Sequence, residues 1–207
     1  VQASHSQQFT QDNRLRVSAA HVSNDGWRDH TASRRSSINL RHEIALNANE
    51  QLVSSLIMSD LNQEMAASLT DFEQGISHSG LSADVLSYDP LRKSQYLRLS
   101  SQWSKTQEAY YYSLIPYLRY RTNDYTATWQ QNMPRVISKV RSLGLLALTS
   151  ISHSDSETTF GFDFELSQAN QLSYQPFDKV VTADTYLAGE KFYHDDIGYL
   201  AISPYIQ

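Results

Sequence analysis

The sequence predicts an all-β fold, an antiparallel meander of about eight strands. The clearest observation is the alternation in Thr158–Leu166, where every second residue is apolar and the residues between are small or charged. Successive strand side chains point to opposite faces, so such a strand has one apolar and one polar face. The other observations are that similar segments recur and that short and long connections alternate between them. A soluble sheet with one wet face and a membrane barrel with a wet lumen both satisfy the alternation.

Eight segments carry this pattern and are predicted as strands. They are Asn13–His21, Ser36–Asn47, Leu52–Asp60, Lys93–Ser104, Tyr110–Arg121, the apolar run that starts at Leu143, Thr158–Leu166 and Tyr199–Gln207. Pro116 lies on the apolar row of its segment, which predicts a bulge or irregular pairing there because proline lacks a ladder donor. In the long polar excursion after the third strand, Ser68 and Asp71 fit a weak helical cap and predict a short helix.

Composition excludes several classes of protein. The mean hydropathy is −0.49 and the longest apolar run is Leu143–Leu148, far short of the roughly 20 residues of a transmembrane helix. The chain has no cysteine, which excludes disulfides and thiolate metal sites. A net charge of −5 without a basic stripe argues against nucleic-acid binding. The 13 tyrosines and many small polar residues suit strands with a polar inner face.

The predicted connections differ in length in a regular way. Those after the second, fourth and sixth predicted strands are short, and those after the first, third, fifth and seventh are long. In a meander this places all long connections at the same end of the strands, which is typical of outer-membrane barrels. Aromatic residues expected in an interfacial girdle lie beside the short connections: Trp103, Tyr110, Tyr112, Phe160 and Phe162.

Several stretches resemble the first barrel strands of TonB-dependent outer-membrane receptors. They are NDGWRDHT after the first strand, RSSINLRHEIALNANEQL, SDLNQEMAASLT, the strand containing Gly144, TTFGFDFEL and the closing SPYIQ. The resemblance extends over nearly the whole chain as a pattern. It implies a barrel of about 22 strands around an N-terminal plug. It also implies TonB-powered uptake of a ferric siderophore or another scarce ligand, in the outer membrane of a Gram-negative bacterium.

On this interpretation residues 1–207 are part of a larger transmembrane β-barrel domain, from its N-terminal third. No TonB box, plug or strand beyond about the eighth is recognised; the sequence starts without an initiator Met, a charged leader or a hydrophobic signal region, so we expect that residue 1 is not where the gene begins. Contact with the inner-membrane TonB complex is therefore expected through a plug segment that this chain lacks. We expect the sheet to be open or only loosely closed. Because unpaired strand edges are costly in hydrocarbon, we also expect that these residues do not fold and function alone.

Two alternatives remain open. One is a complete, small eight-stranded outer-membrane barrel acting as an adhesin or structural protein, and the other is a soluble β-sandwich binding module. Charges predicted on the inner row fit a wide, wet lumen better than a narrow one. They are Arg16, Arg41, Glu43, Arg98, Arg119, Asp163 and Glu165.

Catalytic chemistry is not predicted. Ser154, Asp155 and Ser156 lie beside His153 in a tight hinge, where serine and aspartate are turn formers, and no nucleophile elbow occurs. The run His194-Asp195-Asp196 has oxygen and imidazole ligands for a cation, but a solvated loop is the favoured interpretation. We therefore predict no enzyme, no metal and no cofactor.

Ligand contact is predicted for two clusters in the long connections. The first contains Trp27, Arg28, His30, Arg34 and Arg35, and the second contains Tyr125, Trp129 and Arg135. Arginine binds anionic chelates and aromatic rings supply a stacking face, so both clusters suit a ferric siderophore. The alternative is that they are ordinary polar and aromatic loops.

The alternation of Thr158–Leu166 generates a facing prediction. Phe162 faces lipid and Asp163 faces the lumen, so Phe162→Arg in the intact barrel costs up to roughly 2–4 kcal/mol if the residue lies near the midplane, and less if it lies towards the interface. Asp163→Arg is better tolerated because its side chain stays in water. Folding into lipid vesicles measures both, and equal destabilisation by the two substitutions refutes the assignment.

Overall fold

The structure is a computed structural model that describes residues 1–66 and 87–207. These residues form eleven strands: Gln2–Thr10 (β1), Asn13–Asn24 (β2), Ser33–Asn47 (β3), Glu50–Glu64 (β4), Leu91–Gln107 (β5), Tyr110–Thr126 (β6), Arg135–Ser152 (β7), Glu157–Tyr174 (β8), Lys179–Val181 (β9), Asp184–Tyr186 (β10) and Lys191–Ile206 (β11). The helix predicted at Ser68–Asp71 lies outside the described residues.

Nine of the strands form one antiparallel sheet in the order β1-β2-β3-β4-β5-β6-β7-β8-β11. The strands β9 and β10 form a separate hairpin within the connection from β8 to β11. Among the described residues β1 pairs with β2 alone and β11 with β8 alone, so the sheet has two open edges. The predicted antiparallel meander in sequential order is confirmed, and so is its unclosed form.

The prediction of eight strands was incomplete at both ends. Strand β1 was missed because its two rows are both polar: His5 and Gln7 lie on one face, and Ser4 and Ser6 on the other. Such a segment has no hydrophobic period, and only its pairing with β2 makes it a strand. The last strand begins at Lys191, not at Tyr199, because polar residues extend the ladder with β8.

The register assigns the two faces of the sheet. Leu118, Leu143, Leu166 and Leu200 are successive partners across β6, β7, β8 and β11, and define the outer face. Tyr117, Gly144 and Glu165 are partners on the opposite, inner face. The outer leucines are 50–57% exposed, so no second layer covers them. A continuous exposed apolar surface of this kind marks an interface with hydrocarbon or a partner.

The predicted inner row is confirmed. Its charged members share the face of Glu165: Arg16, Arg41, Glu43, Arg98, Arg119 and Asp163. Glu43 forms ion pairs with Arg14 and Arg41. Charged groups on this face therefore interact with one another along the strands, as expected of a wet surface.

The predicted asymmetry of connections also holds. In the nine-stranded sheet, the connections β1–β2, β3–β4, β5–β6 and β7–β8 are short and lie at one end of the strands. The connections β2–β3, β4–β5, β6–β7 and β8–β11 are longer and lie at the opposite end. The expected girdle residues Trp103, Tyr110, Tyr112, Phe160 and Phe162 all lie on the outer face near the short connections. There the Trp103 Nε1 donates to Glu50 at 2.6 Å, and the Tyr110 and Tyr112 rings stack at 6.3 Å.

Pro116 interrupts the ladder as predicted, but without a bulge. Pairing of β5 with β6 passes from Ser100–Tyr117 to Trp103–Leu114, leaving two intervening positions unpaired in an unchanged register. The interruption follows from the missing proline donor. On its other side Pro116 pairs with Leu145 in register, so the sheet continues through this point.

On the inner face, one side chain of β6 crosses β7 and contacts β8. The Tyr117 ring on β6 lies directly over Gly144 on β7, where an added Cβ would overlap it. The Tyr117 hydroxyl reaches across β7 and donates to Glu165 on β8. Tyr205 covers Gly161 in the same way, and such aromatic cover of a strand glycine supports a curved sheet.

Glu165 collects further donors around this contact. It accepts hydrogen bonds from Arg119 at 2.6 Å, Ser167 at 2.7 Å and Tyr199 at 2.8 Å. The Arg98 guanidinium lies 5.1 Å from the Tyr117 ring centroid. Glu165 therefore joins β6, β8 and β11 on the inner face, with charge-assisted bonds that are stronger than neutral ones.

The glycine contact generates a stability prediction. Gly144→Ala forces the Tyr117 ring from its position and is expected to destabilise the sheet by about 1–3 kcal/mol, as overpacking does. Gly198→Ala is the matched control because a Cβ there meets only the Ser167 carbonyl oxygen, at 4.0 Å. Denaturant titration of the full-length protein folded in lipid vesicles measures both, and equal stabilities would contradict the contact.

Candidate functional site

A cavity of about 620 Å³ lies on the inner face near the long connections. Inner-row residues of seven strands, β3 to β8 and β11, contribute most of its lining. We call it the arginine pocket after its charged members, Arg35, Arg92 and Arg121; its tyrosines are Tyr96, Tyr125 and Tyr193. A concave site of this size, with a few polar groups at fixed positions, is typical of small-molecule binding.

The sheet register brings these side chains together. Arg92 of β5 pairs with Tyr125 of β6, and Tyr96 pairs with Arg121. Arg35 of β3 is the partner of Leu61 on β4, which continues the same face to the next strand. The arginines are far apart in the sequence, yet the ladder holds them on one face and at one end. The pocket is thus built on rigid strands, with the long connections at its rim.

Arg92 is held in place by its neighbours. Its Nε donates to the Asn123 Oδ1 at 3.4 Å, and its guanidinium carbon lies 5.7 Å from the Tyr125 ring centroid. Asn123 also accepts from Ser94 at 2.6 Å. The Tyr125 ring in turn stacks on Trp129 at 5.4 Å. Cation and aromatic rings form one continuous surface here.

The arginine pocket is positively charged. No carboxylate is among the residues that line it. Arg35 and Arg121 are exposed, and neither has a hydrogen-bond or ion-pair partner within the described part of the chain. Guanidinium groups bind carboxylate, catecholate and phosphate oxygens, often in bidentate geometry. The geometry therefore suits a small anionic ligand with a flat or ring-shaped portion.

The first predicted cluster is divided by the structure. Arg28 donates to the Ala66 carbonyl at 2.9 Å, and its guanidinium lies 5.6 Å from the ring centroid of Trp27, which is 58% exposed. His30 contacts the Pro90 carbonyl oxygen at 3.0 Å, and the carboxylate of Asp89 lies 3.6 Å from its other ring nitrogen. Arg28 and His30 thus tie the β2–β3 connection to the ends of the β4–β5 connection.

Arg34 and Arg35 lie on opposite faces. Arg34 pairs with Asn62 in the outer row, whereas Arg35 pairs with Leu61 in the inner row and lines the arginine pocket. Adjacent strand residues must diverge in this way. The prediction treated the two as equivalent because it placed both of them in a connection.

The second predicted cluster is also divided. Tyr125 and Trp129 are stacked, and Tyr125 lines the pocket. Arg135 is on the outer face, where it makes a bidentate ion pair with Asp124 at 2.7 Å for both bonds. The structure therefore brings the two aromatic rings together and separates Arg135 from them.

Two arginines and two tyrosines of the pocket were not among the predicted site residues: Arg92, Arg121, Tyr96 and Tyr193. Tyr96 and Arg121 lay in predicted inner rows, so their facing was available from the period of two. Arg92 and Tyr193 fell in segments predicted as connections. Their grouping depends on register between strands, which the sequence pattern does not specify.

No family model matches this sequence, and no curated protein matches it either. Among solved structures, the ferripyoverdine receptor of the outer membrane of Pseudomonas aeruginosa, bound to ferripyoverdine, is similar with a TM-score of 0.73 and 11% identity over 99% of this chain. The structure of the FpvAI complex with pyocin S2 is similar with a TM-score of 0.71 and 12% identity over 99% of this chain. The ferric citrate transporter FecA in its unliganded form is similar with a TM-score of 0.61 and 12% identity over 100% of this chain.

The sheet has the fold of a TonB-dependent receptor barrel segment. The fold that the resemblance implied is thus confirmed. The aligned region is 32%, 33% and 34% of the three neighbouring chains, so this chain spans about a third of their length.

Two further observations concern the described residues alone. None of their helices is long and apolar enough to cross a membrane. No group of three histidine, aspartate or glutamate side chains in residues 1–66 and 87–207 is placed to hold a metal ion. The interpretation of His194-Asp195-Asp196 as a loop is wrong, because the run is exposed but pairs with β8 as part of strand β11. His194 and Asp196 lie on the outer face of β11 and Asp195 on the inner face.

Proposed function

We propose that this chain is part of the barrel wall of an outer-membrane receptor that takes up an anionic ferric chelate, most simply a ferric siderophore. The arginine pocket is the observation that carries the proposal. It combines three arginines with tyrosine rings on the charged face of the sheet, at the end where the connections are long. Ligands from outside would meet this end first in a barrel with long extracellular loops.

The structural neighbours support this assignment of ligand. One is a receptor bound to ferripyoverdine and another is a ferric citrate transporter. Citrate is a polycarboxylate, and its ferric complex is an anion of the kind that arginine recognises. The neighbours are receptors and a transporter, which supports the expectation that this chain is not an enzyme.

The two faces support a position in the outer membrane. The outer face exposes leucine rows and an aromatic group near the short connections, whereas the inner face carries ion pairs and hydrogen-bonded carboxylates. Such a wall separates lipid from a wet lumen. On this proposal residues 1–207 are part of the barrel domain, and energy from the inner-membrane TonB complex reaches the ligand through the receptor's plug domain.

The opposite facing of Arg34 and Arg35 generates a ligand prediction. Arg35→Ala in the full-length receptor is expected to weaken binding of ferric citrate, or of another anionic ferric chelate, by roughly ten-fold, because a charged hydrogen bond is lost. Arg34→Ala is the matched control, since it removes the same charge from the outer face. Isothermal titration with the purified receptor in detergent measures both affinities.

An equal loss of affinity in the two variants would contradict the pocket as the binding site. The coupling part of the proposal is tested separately in cells that express the full-length receptor. Uptake of the chelate should stop when TonB is deleted while binding at the surface persists. Uptake that continues at the same rate without TonB would overturn the coupling and leave the binding site standing.

The long connections generate a topology prediction. Ser33→Cys, at the start of β3 beside a long connection, is expected to react with a membrane-impermeant maleimide on intact cells. Asn49→Cys, in the short connection between β3 and β4, is the control and should be protected. Labelling is read by gel shift after cell lysis, and the reverse pattern would invert the orientation of the receptor.

A further inference from the structure

Two cations on the outer face have no role in the proposed receptor site. Lys139 and Arg141 lie in the outer row of β7, directly beyond the apolar residue Leu143 towards the long connections. Both side chains are exposed, and neither has a hydrogen-bond or ion-pair partner among residues 1–66 and 87–207. Their charge is therefore available to a group from the surroundings of the barrel.

An apolar groove lies beside these cations. Its volume is about 700 Å³, and its outer-face lining includes Leu118, Leu143, Leu166, Arg141, Gln168 and Asp196. Leu143 lies between Leu118 and Leu166 in the register, and Arg141 lies in the next outer row, between Tyr120 and Gln168. The groove thus has a hydrocarbon floor, Arg141 lines one end of it, and Lys139 lies at the next outer-row position of β7 beyond that end.

Nearby carboxylates do not cancel this charge. Asp124 on β6 is occupied by its bidentate ion pair with Arg135. Asp196 accepts a hydrogen bond from Asn170 at 2.6 Å, and it is two strands away from Lys139, about 10 Å at the usual strand spacing. The part of the rim formed by β7 therefore stays positive.

We propose that this groove binds a phosphorylated lipid, with the phosphate between Lys139 and Arg141 and an acyl chain along Leu143. The inference goes beyond uptake of a chelate, although it relies on the outer face lying in lipid. Complementary chemistry supports it, since basic pockets at the membrane boundary bind phosphate headgroups. Long cationic side chains reach from an apolar surface to the headgroup level while their stems remain in hydrocarbon.

The test compares two lipids that differ only in the phosphate. Dioleoyl phosphatidic acid and dioleoylglycerol are titrated into the full-length protein in neutral detergent, and lipid adducts are counted by native mass spectrometry. We expect selective retention of the phosphatidic acid. Replacing both cations in a Lys139→Ala, Arg141→Ala double variant should weaken it by about five-fold for each charge removed.

Two controls keep the result interpretable. The Lys105→Ala variant lacks an outer-face cation at the opposite end of the strands, near the short connections, and should still retain the lipid. A charge-preserving Lys139→Arg, Arg141→Lys variant should retain it as well, which separates charge from folding. Equal retention in the double alanine variant, equal retention of dioleoylglycerol, or displacement by inorganic phosphate at the same concentration would overturn the proposal. Loss of lipid selectivity with intact chelate binding leaves the receptor proposal unaffected.

Discussion

The register of β6, β7 and β8 is the constraint on which both faces of the sheet depend. A slip of one residue would move Leu118, Leu143 and Leu166 to the charged face and place Glu165 among the leucines. The contact of Tyr117 with Glu165 opposes such a slip, because the ring can cross β7 only where Gly144 lacks a Cβ. One glycine thus permits a hydrogen bond that links strands not adjacent to each other.

The single layer of the sheet explains its surface chemistry. Few apolar residues in the described ranges are buried, and the outer leucines remain half exposed. A soluble sheet would cover such a face with a second layer. In the proposed outer-membrane receptor, the backbone pairing along the strands meets the requirement of a wall in hydrocarbon, and lipid takes the place of a second layer. The same wall leaves the inner face free for charged groups.

The arginine pocket follows from the same geometry. Each strand contributes a residue from every second position, so arginines far apart in the sequence meet on one face. The sequence of the connections predicted Arg35 and Tyr125 as site residues. It also grouped them with Arg34 and Arg135, which face outwards in the structure. The facing of Arg121 and of Tyr96 was predictable from alternation, whereas their pairing with each other required the register of β5 with β6.

The sequence by itself determined the all-β class, the facing of the regular strands and the alternation of short and long connections, because these depend on local periodicity and turn residues. Only the tertiary structure decided that β1 is a strand, that β11 begins at Lys191, and that Arg135 is bound to Asp124. The physical reason is that polar strand segments carry no hydrophobic period and become strands only through hydrogen bonds to a partner. Partner choice and register join residues distant in sequence, so the pocket exists only in the assembled sheet.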